Sequence, residues 1–287
     1  MNFRTLEVCL AVAAVVAVPA DASSLFSVGI QRTTVFDQTS GAAPTSPTNV
    51  AVFFSVDPPG DFTSGSVDSP STINAAQLGP GLDGGGSPDL QSMEFDFGSQ
   101  ADALAQFPNA GSVYTFNLVD SNNTSENTSV QMTDISTSAS LDTPAATSTT
   151  WNGLQGLDAT QDFTFGYNAD TKGGLDFLEI VQCSDATCDS FVSLAYFNTA
   201  SPGNTSFDLP ASTFLPGTPY LAALFFTSAT GVPCSSGEPS CTGTLTELNN
   251  ETNMTFETMA NVPEPGTWLS LLTGLAGLAI WRRRRAS

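Results

Sequence analysis

The chain contains no histidine, and Lys and Arg together number only seven against 28 Asp and Glu, for a formal net charge of -21. Without histidine there is no Ser-His-Asp triad, no Cys-His dyad and no His-ligated zinc. Without clustered Lys and Arg there is no footprint for phosphate neutralisation, so nucleic acid is excluded as a partner. Long apolar runs are also missing. The two that exist, residues 8–18 and 268–281, would rise about 16 and 21 Å as helices, against a hydrocarbon core of about 30 Å.

The few basic residues sit at the ends. Arg4 precedes the first run, and Arg282, Arg283, Arg284 and Arg285 follow the second. Residues 23–261 keep only Arg32 and Lys172, against the 28 acids less Glu7, Asp21 and Glu264, a net charge of -23. Such a surface is solvated, self-repelling and soluble.

Residues 1–22 read as a cleavable signal peptide. Arg4 precedes the apolar run, and Ala20-Asp21-Ala22 places small residues where signal peptidase inspects them. At the other end stands Pro263-Glu264-Pro265-Gly266. Two prolines around one glutamate cannot continue a helix or a central strand, so the segment is an extended hinge. A short hydrophobic helix follows, with Trp268 and Trp281 at its borders and Gly274 and Gly277 within it. The four arginines then act as stop-transfer, held in the cytoplasm by the positive-inside rule. A marginal anchor behind an exposed hinge suits a segment meant to be removed.

This three-part tail resembles the PEP-CTERM sorting signal of Gram-negative bacteria. The resemblance rests on Pro263-Glu264-Pro265, on Gly274-Leu275-Ala276-Gly277-Leu278 and on Arg282 to Arg285. It implies processing at or near the motif by an exosortase, a membrane-embedded cysteine transpeptidase. The inner membrane would hold the chain transiently, and the product would reach the cell surface or an exopolysaccharide matrix.

Between the ends the sequence predicts an all-β protein. Period-two runs at 25–32, 50–56, 93–97, 113–119, 163–167, 176–182, 191–197, 220–227 and 254–258 alternate apolar and polar residues. Gly, Pro, Asn, Asp and Ser clusters separate them. One short helix is expected over residues 100–106, and nothing supports βαβ units. Two β-sandwich modules are expected, at 23–145 and 146–261, with the tail at 262–287. Phe214-Leu215-Pro216-Gly217-Thr218-Pro219-Tyr220 resembles the corner entering strand F of immunoglobulin-like and fibronectin type III domains, and the segment from Phe107 to Tyr114 reads similarly. The resemblance makes Tyr114 and Tyr220 structural corner residues, each with its phenol tied to the preceding loop.

Cys9 leaves with the leader, and Cys183, Cys188, Cys234 and Cys241 remain. An even number in an exported chain suggests disulfides, with local spacing favouring 183–188 and 234–241; a four-thiolate zinc site is the rival. No cofactor is expected. Glu94 and Asp96 share a strand face but read as its wet side, and Asp83-Gly84-Gly85-Gly86 lacks repeated Asp spacing for calcium. The Asn-x-Ser/Thr triplets at Asn122, Asn123, Asn127, Asn204, Asn250 and Asn253 read as polar loops. The reading is a non-catalytic surface or matrix protein meeting exopolysaccharide or neighbouring surface proteins, with Trp151 as a sugar-stacking candidate. The alternative is a secreted, carboxylate-dependent hydrolase acting on polysaccharide.

Overall fold

The computed structural model describes residues 26–57, 62–68, 76–82, 88–92, 95–108, 112–120, 123, 125–131, 141–172, 174–232 and 242–260. The signal peptide, the sorting tail, Asp83 to Gly86, Glu94, Cys234 and Cys241 lie outside them.

Fourteen strands and two short helices are seen among the described residues. The first half holds β1 (Phe26–Asp37), β2 (Asn49–Asp57), β3 (Phe62–Asp68), β4 (Ala76–Leu82), β5 (Pro88–Ser92), β6 (Phe95–Phe97), α1 (Gln100–Gln106), β7 (Val113–Asp120) and β8 (Ser125–Gln131). The second holds α2 (Ser148–Leu154), β9 (Phe163–Gly166), β10 (Leu175–Cys183), β11 (Phe191–Ala200), β12 (Ser206–Leu209), β13 (Pro219–Val232) and β14 (Thr242–Glu257). The all-β expectation agrees with this.

Helix α1 forms where the alternation lapses into Gln-Ala-Asp-Ala-Leu-Ala-Gln. Ser99 caps it by accepting from the Asp102 amide at 3.2 Å, and Ala103 faces inward. It stops at Phe107, ahead of Pro108. Helix α2 was not anticipated. Its Ser/Thr-rich sequence has poor intrinsic helix preference, but the Thr147 hydroxyl caps it through the Thr150 amide at 3.2 Å, and Leu154 anchors it in the core.

Twelve strands form one sheet in the order β11-β10-β13-β14-β1-β2-β5-β4-β3-β7-β8, with β6 also on β2; β12 and β9 form a separate pair. The two halves join through β1 and β14, which run parallel from Phe26 opposite Thr242 to Asp37 opposite Asn253.

The core lies in two main clusters, each drawn from one half. In the first, Val28, Ile30, Val50, Val52, Phe54 and Val56 project from β1 and β2. Phe54 meets Phe107 at 5.4 Å, Tyr114 at 5.8 Å and Phe116 at 6.2 Å between ring centroids. Because β2 and β7 are separated by β5, β4 and β3 in the sheet, these contacts require the sheet to curl over on itself. In the second cluster, Leu178 and Ile180 of β10, Ala222, Leu224 and Phe226 of β13, and Met254 and Phe256 of β14 form one layer. The β9–β12 pair covers it with Phe165, Phe207 and Leu209, joined by Tyr167 just past β9. Tyr167 stacks on Phe207 at 5.1 Å. Burying each such side chain contributes about 1.5–3 kcal/mol.

Strand β10 is buried on both faces rather than alternating, because Phe177 also stacks on Phe225 of β13 at 4.2 Å on the face away from that core. Strand β11 ends the sheet and is largely exposed, with Val192, Leu194 and Phe197 open to solvent.

Candidate functional site

The sequence-predicted residues fall into separate places. The sorting motif, the flanking tryptophans and glycines and the terminal arginines lie outside the described residues. Among the described residues no helix is long and apolar enough to cross a membrane.

The two tyrosines open β7 and β13. Buried Tyr114 donates its hydroxyl to the Pro108 carbonyl at 2.7 Å, six residues back. Buried Tyr220 accepts from the Leu215 amide at 2.7 Å, five residues back. Gly217 at φ +64° provides the left-handed turn between. Thr258 closes the same corner, donating its hydroxyl to the Leu215 carbonyl at 2.6 Å and accepting from the Thr218 amide at 3.0 Å.

Cys183 and Cys188 are joined by a disulfide across five positions, closing the loop between β10 and β11. Asp185 accepts from the Thr187 amide at 2.9 Å and hydroxyl at 2.6 Å inside it, and these bonds hold its carboxyl below the usual range. With those two thiols bonded to each other, they are not half of a zinc site.

Asp96 is exposed and accepts from the Asn49 side chain at 2.6 Å, while Phe97 is buried and Phe95 half-buried behind it. Trp151 is half-buried and packs against the second core from α2, so its ring is partly committed to the fold. Asn250 and Asn253 belong to β14 rather than to a loop. The Asn250 amide donates to the Leu141 and Asp142 carbonyls at 3.0 and 3.2 Å, which ties down the segment between the halves. Thr252 adds a hydroxyl bond to the Pro144 carbonyl at 2.5 Å.

The groups with the most altered chemistry were not signalled by the sequence. Asp176, at the start of β10, is wholly buried, and burial pushes its carboxyl up to about 6. The Tyr167 hydroxyl donates to it at 3.2 Å and works against that rise, whereas the charge of Asp170 adds to it. Tyr167 is itself raised, by burial and then by the Asp176 charge. Burial alone lifts Glu179 to about 7. Glu247 on β14 rises to about 7 through burial, with nearby Asn249 acting in the opposite direction. Asp176 and Glu179 are three apart on one strand and project to opposite faces, so they cannot act together on one bond. Among the described residues no three Cys, Asp or Glu side chains converge in a way that could hold a metal. Buried acids could have been suspected only from the length of uninterrupted strand around them, which is a weak signal.

The architecture is that of a mostly β chain with acids folded into its sheet. Residues 261–285 match the PEP-CTERM protein-sorting motif. The chain therefore carries a substrate signal for exosortase processing, one that indicates secretion, a transient C-terminal membrane anchor and surface localisation. No curated protein matches the chain. Among solved structures it is similar to a "Biofilm associated protein - BSP domain", at 12% identity and a TM-score of 0.20. The match covers 74% of this chain and 28% of that one, so this chain spans under a third of its length.

Proposed function

We propose that the chain is an exported, non-catalytic cell-surface or extracellular-matrix protein that works in association with exopolysaccharide. Signal peptidase removes residues 1–22, and exosortase cuts at or near Pro263-Glu264-Pro265. The body is two Ig-like sandwich modules, residues 23–145 and 146–261. The observation that carries the reading is the sorting motif at residues 261–285. The module reading draws support from the two core clusters and from the phenol bonds of Tyr114 and Tyr220 to the loops before them. The non-catalytic reading draws support from Asp176 and Glu179, two raised acids that project to opposite faces of β10 and so cannot serve as acid and base on one bond.

Substitution Glu264→Ala, followed by fractionation of the producing cells, tests the sorting step. The expected result is a protein retained in the membrane fraction at its uncut mass. Export and trimming indistinguishable from wild type would refute it.

A further inference from the structure

Two aspartates are buried close together in the sequence, Asp170 after β9 and Asp176 at the start of β10. Asp176 is 0% exposed and Asp170 is 4% exposed. Each carboxylate has one oxygen engaged: Asp170 Oδ1 accepts from the Lys172 amide at 2.9 Å, and Asp176 Oδ2 accepts from the Tyr167 hydroxyl at 3.2 Å. Each also has one oxygen, Asp170 Oδ2 and Asp176 Oδ1, that is buried with no hydrogen-bond partner. Buried polar atoms left this way are rare in folded proteins and point to an ion or water. The two side chains are close enough for the charge of Asp170 to act on Asp176.

Among the described residues no cation acts on Asp176. Arg32 and Lys172 are the only basic residues between positions 23 and 261. Arg32 lies on β1, opposite Leu248 and Val52, beside the first core. Lys172 is exposed, and its charge acts on Asp142. Hydrogen bonds tie the neighbouring segments together. Asp142 accepts from the Thr171 amide at 2.7 Å and hydroxyl at 2.5 Å. Asn168 donates to the Thr143 carbonyl at 3.0 Å and accepts from the Ala145 amide at 2.6 Å. Gly174 lies so close to β13 that a Cβ there would sit 1.8 Å from the Thr227 carbonyl oxygen. Residues 168–172 are therefore held to the 142–145 segment and Gly174 to β13, while Asp170 and Asp176 each keep one buried oxygen without a partner.

We propose that Asp170 and Asp176 bind an oxygen-preferring divalent cation of the calcium type, which clamps residues 168–172 to the start of β10. Two carboxylate oxygens balance the charge of such an ion, and carbonyls or water complete its shell. Tyr167 orients Asp176 through its hydroxyl and is not a ligand. In an exported protein this cation would be supplied by the medium, and the ion would stabilise only the folded state.

The test uses the exported protein stripped with EDTA at pH 7.5, melted with and without 1–10 mM calcium chloride. Terbium luminescence sensitised through the adjacent Tyr167 reports on binding. The expected result is a calcium-dependent rise in melting temperature and a saturable terbium signal that calcium displaces. In D170N and D176N both responses should weaken at least tenfold. Calcium-free D176N should melt no lower than calcium-free wild type, since the substitution removes the repulsion; that outcome shows the variant folded. A wild type whose melting temperature and terbium signal do not respond to calcium would overturn the proposal. So would calcium and terbium responses unchanged in both variants.

Discussion

Replacing Tyr220 by phenylalanine removes one oxygen from a corner whose geometry is otherwise fixed by packing. The ring lies edge-on to Phe214 at 5.0 Å and stacked on Phe256 at 5.5 Å, and phenylalanine keeps both contacts. What is lost is the bond from the Leu215 amide at 2.7 Å. The net contribution of such a bond is about 1 kcal/mol, and a donor left dry costs about 1–3 kcal/mol. Leu215 itself is 58% exposed, so water can reach its backbone and Y220F should cost only about 1 kcal/mol. Y220A also removes the ring from a fully buried site and should cost about 3–5 kcal/mol. Urea unfolding of the exported protein, with the disulfide intact, measures both. Values of Y220F and Y220A that coincide would refute the reasoning, because the ring would then contribute nothing beyond its hydroxyl. So would a Y220A loss under about 1.5 kcal/mol, since the ring would not be packed as described.

Two further outcomes are expected. Gly174→Ala places a methyl group on the Thr227 carbonyl and should cost about 4 kcal/mol or more, because backbone on both sides must move; a melting temperature equal to wild type would contradict the close approach. Stability should fall as pH rises. Asp176, Glu179 and Glu247 have folded values raised to about 6, 7 and 7 from ordinary values of 3.8, 4.5 and 4.5. The folded state thus holds more protons than the unfolded one between about pH 4 and 7, so their contribution is complete below about pH 4 and lost by about pH 7. Urea midpoints in EDTA and high salt, which screens general self-repulsion, should therefore be higher at pH 5 than at pH 8. A flat or rising midpoint would show that these acids are hydrated.

Much of the fold was legible in the sequence because burial on one face leaves a period-two trace. Phe163 to Tyr167 and residues 113–119 are strands for that reason, and the lapse of the pattern at Gln100–Gln106 marked α1. What escaped notice lacked apolar contrast. Strand β14 was recognised only at Met254 to Thr258, because Thr242 to Asn253 is rich in Asn, Glu and Thr. That stretch is held by backbone pairing to β1 on one side and β13 on the other, which no local pattern encodes. Helix α2 rests on one threonine cap and a buried leucine. Nothing in the sequence sets Asp170 and Asp176 apart from the other acids. The segment at residues 141–145 is tied to the stretch after β9 and to β14 by hydrogen bonds spanning 23 to 109 positions, which no local pattern encodes. The sorting tail was readable because another enzyme must recognise it as a linear motif, which requires no fold.

Intact-mass and peptide mass spectrometry of the protein recovered outside the producing cells tests the central claim most directly. The account expects a polypeptide that ends at or near Pro263-Glu264-Pro265, with no peptide containing Trp281 or the arginines after it. An extracellular protein that still carries Trp268 through Arg285 would contradict it.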